Sequence, residues 1–191
     1  MTTPLRVAFQ GELGAFGELA IRQHFGSRAE AVPYAEFLDV VRALVACSVD
    51  RAVLPVHNSI AGAVTASVEV IASTEDLRVS QEIPVAVQLC VLGVPGSRLD
   101  LARELHSHPV ALAQVSDFLA HHPHITAITA HDTAGAARLV AERTDMTLLA
   151  VASASCAVRY GLTILAEDVQ DRADNVTRFV LLERASAPRG A

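Results

Sequence analysis

The chain has 191 residues, 51% of them hydrophobic and 19% charged, which excludes an intrinsically disordered segment and allows one large domain or two small lobes. A formal charge of -6, with no Lys/Arg-rich run, leaves no basic stripe for a phosphate backbone, so no nucleic-acid partner is expected. No apolar stretch reaches the about 18 residues of a membrane span, and MTTPLRVAFQ lacks a basic start followed by an apolar leader. The expectation is a soluble cytoplasmic protein without a membrane partner. Cys47, Cys90 and Cys156 are far apart and form no C-x-x-C pair, so they suggest buried reduced thiols, with neither a disulfide framework nor a zinc site.

In chain order, short strand patterns alternate with helical ones, the signature of an α/β fold. Arg6 to Gln10 predicts a first strand, followed by the turn Gly11-Glu12-Leu13-Gly14 and a helix to about His24. Gly11, Gly14 and Gly17 are spaced three apart, so the dinucleotide fingerprint fails and a small-ligand turn is expected. Ala31 to Tyr34 predicts a second strand, and Phe37, Val40, Val41, Leu44 and Val45 mark the apolar face of a helix over 36–46. Arg51 to Val56 predicts a strand, and Asn58-Ser59 is expected to cap a helix from about Gly62 to Ala72. In Leu77 to Gly93, Pro84 is expected to divide the strand or move it to another sheet, because proline removes a ladder donor. A crossing between lobes is placed here.

Beyond it, Leu105 to Pro109 predicts a strand end with Pro109 at the first helical position, Ser107 or His108 as cap, and Gln114 in the second turn. Ile125 to Ala130 predicts a strand, and His131-Asp132-Thr133 caps an Ala-rich helix to about Glu142. Leu148 to Ala152 predicts another strand, and Ser153 caps a helix that ends at Gly161 in the left-handed conformation. From Asp168 a charged approach leads into Val176-Thr177-Arg178-Phe179-Val180-Leu181-Leu182, a β-branched and apolar run predicted to return to the first lobe, with a short tail after Arg184. The expected lobes are residues 1–79 with 176–191, and residues 80–175.

Four strand-to-helix turns therefore carry short polar residues: Asn58-Ser59, Ser107-His108, Asp132-Thr133 and Ser153. In open α/β sheets such turns gather at the carboxyl edge, where free N–H groups favour anions, so a small carboxylate ligand is expected. No helical His-x-x-x-His pair supports a metal among the eight histidines.

The segments FQGELGAFGE, LPVHNSIAGAV, SHPVALAQ, HDTAGAA, AVASASCAVRYGL and DNVTRFVLL, in this order and spacing, resemble the prephenate dehydratase family over nearly the whole chain. The resemblance implies two mixed-sheet α/β lobes of periplasmic-binding-protein (type II) kind with the active site in the interlobe cleft. It implies decarboxylating dehydration of prephenate to phenylpyruvate, carbon dioxide and water, as a lyase of phenylalanine biosynthesis needing no cofactor or metal. It also implies a homodimer or higher assembly. The ACT regulatory domain typical of the family is expected to be missing.

Carried over from the family, the catalytic residues are Thr177, Asn58, Gln114 and Ser107, with Thr177 as proton donor to the departing hydroxyl. The resemblance adds Ser59, Arg178, Phe179, Ala15, Thr133 and Ser153 as substrate-binding residues. Arg178 has a structural ion pair as its alternative role, since neighbours on a strand face opposite sides, and Thr133 and Ser153 have helix capping as theirs. His57 and His131 stand where relatives carry Glu, which leaves open an arogenate dehydratase or a non-aromatising prephenate decarboxylase. A small-carboxylate binding or sensor module is the reading from a different class.

Overall fold

The computed structural model describes residues 4–185; the tail expected after Arg184 lies, beyond Ala185, outside them. The elements in chain order are β1 (Leu5–Gln10), α1 (Phe16–Phe25), β2 (Ala29–Tyr34), α2 (Phe37–Val45), β3 (Arg51–Asn58), β4 (Gly62–Ala63), α3 (Thr65–Ala72) and β5 (Leu77–Ala86). They continue with β6 (Cys90–Gly93), β7 (Glu104–Ser107), α4 (Pro109–Ala113), α5 (Ser116–His121), β8 (Thr126–Thr129), α6 (Thr133–Arg143), β9 (Leu148–Ala152), α7 (Ala154–Tyr160), β10 (Thr163–Ala166) and β11 (Val176–Arg184). Two compact α/β units result. One comprises residues up to 11, 16–86 and from 176 on; the other comprises 12–15 and 87–175.

The first unit carries a mixed sheet in the order β2-β1-β3-β11-β5, with β4 paired to β3. β1 is parallel to β2 and β3, whereas the returning β11 runs antiparallel to both β3 and β5. The apolar stripe of α2 packs here: Val40, Val41 and Leu44 form a core with Ala52, Leu54, Val180 and Leu182. Each such large side chain contributes about 1.5–3 kcal/mol through removal from water. Arg51 and Arg78 meet Glu183 across the neighbouring strands, the Arg51 Nε lying 3.0 Å from its carboxylate.

The second sheet has the order β10-β6-β9-β7-β8, with β6 antiparallel and β7 parallel to β9. All five residues of β9 are buried, as befits a central strand with apolar residues on both faces, and α6 lies against it. Asp132 opens α6 by accepting from the Gly135 N–H at 2.6 Å, and Gly161 ends α7 at φ 68°.

Three expectations are corrected. β5 runs unbroken through Pro84 and across residues 79 and 80, and the chain enters the second unit at Val87. Proline is tolerated because β5 is an edge strand of the sheet order, with β11 as its neighbour. The helix expected from Gly62 begins at Thr65 behind an uncapped Val64, because β3 extends through Asn58 and β4 intervenes. α4 ends at Ala113, leaving Gln114 at its C-terminal cap instead of in a second turn. The periodicity gave no notice of β4, α5 or β10, which are 2, 6 and 4 residues long. Among the described residues, no helix is long and apolar enough to cross a membrane.

The glycine turn after β1 is a fixed element of the second unit. Gly14 has φ +97°, and a Cβ there would lie 2.7 Å from Cys156 Sγ. Gly14→Ala should therefore destabilise the protein by about 1–3 kcal/mol through backbone strain and overpacking. Thermal melts check this: Cys156→Ala in the same chain should recover only the steric part, and an unchanged midpoint for Gly14→Ala would contradict the close packing.

Candidate active site

The last residues of β3 and the first of β11 form the best-defined polar arrangement in the first unit. Register pairs Thr177 with Asn58 and Arg178 with His57, then slips, so that Phe179 faces Pro55 and Val56 is the extra residue of a bulge. Asn58 Nδ2 donates to Thr177 Oγ1 at 2.9 Å. The direction of that bond is fixed from the other end of the amide: Asn58 Oδ1 accepts from the Ile60 and Ala61 N–H groups at 3.0 and 2.9 Å. With its oxygen occupied by backbone donors, Asn58 presents its NH2 group to Thr177. Thr177 Oγ1 is thus an acceptor on one side, and its own proton has no acceptor among the described residues. A short polar side chain that cannot cap a helix here acts as an orienting group.

Ser59 is clasped to Val176: its N–H donates to the Val176 carbonyl, and its Oγ accepts from the Val176 N–H, both at 2.9 Å. Its side chain thus closes the β3–β11 junction. Arg178 is exposed and faces Glu82 at 3.5 Å, a weak surface pair. Phe179, expected at the substrate, is 4% exposed and belongs to the core. His57 is half-buried opposite Arg178.

In the second unit, Gln114 is buried at the end of α4, and its Oε1 accepts from Asn175 Nδ2 at 2.8 Å. Ser107, expected to be catalytic, is fully buried and donates its proton to the Val151 carbonyl at 2.6 Å, pinning β7 to β9. Ser153 stands at the cap position of α7 without capping it; its Oγ donates to the Gly14 carbonyl at 2.7 Å. Thr133 is the first residue of α6, whose cap is Asp132. Ala15 packs against the core of the second unit, and His131 is exposed, 3.6 Å from Asp132. Among the described residues, no group of three His, Cys, Asp or Glu side chains could hold a metal ion.

The profile of the family described as Prephenate dehydratase matches residues 7–187. The chain belongs to the prephenate dehydratase family. It is 41% identical over 181 residues to arogenate dehydratase 5, chloroplastic, of Arabidopsis thaliana, covering 94% of this chain and 42% of that protein. It is 39% identical over 180 residues to arogenate dehydratase/prephenate dehydratase 2, chloroplastic, of the same plant, covering 94% and 46%. The chain thus spans less than half the length of these curated relatives. Its fold is similar to a prephenate dehydratase solved in complex with L-Phe from Arthrobacter aurescens, with TM-score 0.89, 29% identity and coverage of 98% and 63%. It is also similar to GqqA, described as a quorum quenching acylase, with TM-score 0.84, 35% identity and coverage of 97% and 66%.

Sequence reasoning offered Ser107 or His108 as the cap before Pro109, and assigned no role to Asn175, Gln170 or Asp171 of the second unit. Asn175 had a signal, a polar residue directly before an apolar strand; its burial to 1% exposure is a tertiary fact. His108 caps α4, its Nδ1 accepting from the Val110 N–H at 3.2 Å, which places the ring proton on Nε2. Burial lowers its pKa below the ordinary value, Asp132 opposes this, and His131 adds to it. Because the folded value lies below the unfolded one, the contribution to stability is present above the unfolded pKa. It is lost as pH falls through the folded pKa, when Nδ1 gains a proton and can no longer cap. An NMR titration should place the His108 midpoint below the ordinary value of about 6.5. Faster exchange of the Val110 amide should accompany protonation; a midpoint at or above the ordinary value would contradict this environment.

Proposed function

We propose that this chain carries a decarboxylating dehydratase of prephenate or arogenate. The observation that carries the reading is the Asn58–Thr177 pair, which leaves the Thr177 proton available for an oxygen outside the protein. In the reaction the bond to the ring carboxylate breaks, its electron pair enters the ring, and the C4 hydroxyl leaves with one proton as water. Carbon dioxide departs and the ring becomes aromatic, which supplies much of the driving force. Threonine is a feeble acid, so Thr177 acts by hydrogen-bond donation to the leaving oxygen as charge builds there, and the net proton comes from solvent. Asn58 donates to Oγ1 and holds the hydroxyl in one orientation, an advantage that does not have to be created during the step.

Arg178, whose pair with the exposed Glu82 is long, has a planar fork suited to a substrate carboxylate. Similarity to GqqA raises an acylase, but such chemistry calls for a nucleophile beside a base. The Thr177, Ser107 and Ser153 hydroxyls engage an amide and two carbonyls instead. The proposal includes cytoplasmic action and a homodimer. Exposed Leu38 and Val45 on α2 and Val68 on α3 support self-association, which light scattering checks against a monomer mass.

Purified protein given prephenate and arogenate separately should release carbon dioxide and an aromatic product in equal amounts; loss of carbon dioxide without an aromatic chromophore would indicate a non-aromatising decarboxylase. Thr177→Val should lower kcat by about 100-fold or more with little change in KM, while Thr177→Ser keeps much of the rate. Asn58→Asp should approach the Thr177→Val loss, because its carboxylate would accept the hydroxyl proton. Near wild-type kcat in Thr177→Val would remove Thr177 from the reaction.

A further inference from the structure

The amide of Gln114 is the second polar group whose direction the fold sets. Its backbone is held on both sides: the N–H donates to the Ala111 carbonyl at 3.1 Å, and the carbonyl accepts from the Asp171 N–H at 2.7 Å. Its side chain has three rotatable bonds, so holding it in one orientation costs conformational entropy. The group that meets it is Asn175, 1% exposed, whose Nδ2 donates to Gln114 Oε1 at 2.8 Å.

Asn175 sits on a segment that is itself tied down. Its carbonyl accepts from the Val87 N–H at 2.8 Å, and Gln170 Oε1 accepts from the Leu89 N–H at 2.8 Å. The Asp171 carboxylate accepts from the Ser116 N–H at 3.0 Å, the Ser116 hydroxyl at 2.6 Å and the Asp117 N–H at 3.0 Å. The partner of Gln114 is therefore rigid. A primary amide has one acceptor end and one donor end, so occupying Oε1 leaves the two Nε2 protons for another oxygen. Among the described residues, nothing accepts them.

We propose that Asn175 is a positioning residue that holds Gln114 as a hydrogen-bond donor toward a carboxylate or hydroxyl oxygen of the substrate. This rests on the dehydratase reading and on Gln114 touching substrate within it. Asn175 reaches no reacting atom itself; it decides which end of the Gln114 amide the ligand meets.

Asn175→Asp tests this in the full chain. It conserves shape but offers only acceptors, so Gln114 must turn Nε2 inward and present Oε1. The expected result is a fall in kcat/KM of about 10- to 100-fold, the range of a lost hydrogen bond to a charged group. In a Gln114→Ala background the same change should alter kcat/KM by less than about twofold, because the group it acts through is gone. Equal losses in both backgrounds, or wild-type kcat/KM in Asn175→Asp, would overturn the positioning role.

Gln114→Glu keeps the acceptor for Asn175 and tests the same point if Asn175→Asp fails to fold. It should be as impaired as Gln114→Ala at neutral pH and should regain activity as the carboxyl is protonated and becomes a donor. A flat pH profile at wild-type rate would overturn the proposal. A wild-type chain inactive on both prephenate and arogenate overturns the dehydratase reading and the role of Gln114 with it. An active wild type with an insensitive Asn175 overturns this inference alone.

Discussion

The insertion of β11 between β3 and β5 is the constraint on which the first unit depends. A strand from the end of the chain pairs antiparallel on both sides, along six positions of β3 and nine of β5. Hydrophobic burial of Val180, Leu181 and Leu182 drives the insertion, and the β-ladder fixes its register. That register, corrected by one bulge, sets Thr177 opposite Asn58 across 119 positions of sequence. A slip of one residue would exchange the faces of this apolar run and separate the pair.

Both polar pairs use one device: a side-chain amide is given its direction by what occupies its far end. Asn58 spends its oxygen on two backbone N–H groups, so its NH2 must meet Thr177. Asn175 occupies the oxygen of Gln114, so that residue keeps its donors. In each case a group with two opposite faces becomes a group with one available function, before any ligand arrives. The dehydratase reaction we propose has no strong acid at hand and would draw on such preorganisation, since feeble donors contribute most when they need no reorientation.

Helix capping, packing and ligand contact compete for the same residue types, and several polar turn residues of this chain serve capping or packing. Asp132 caps α6, His108 caps α4, and Asp171 satisfies the start of α5 from far along the chain. Ser153 and Ser107 spend their protons on the Gly14 and Val151 carbonyls and serve packing. Orphan backbone groups and buried hydroxyls must find partners, and short polar side chains serve both needs, so composition alone does not separate them.

Periodicity in the sequence determined the α/β alternation, the apolar face of α2, the strand Leu148–Ala152 and the left-handed end of α7 at Gly161, because each follows from contacts within a few residues. The family motifs singled out Thr177, Asn58 and Gln114. Only the tertiary structure decided that Pro84 lies inside an edge strand, that Asn58 ends a strand instead of capping a helix, and that Phe179 is core. It alone revealed Asn175 as the partner of Gln114, 61 positions away. These outcomes depend on which strand ends up at a sheet edge and which amide meets which, and such distant pairings leave no local pattern for a sequence to show.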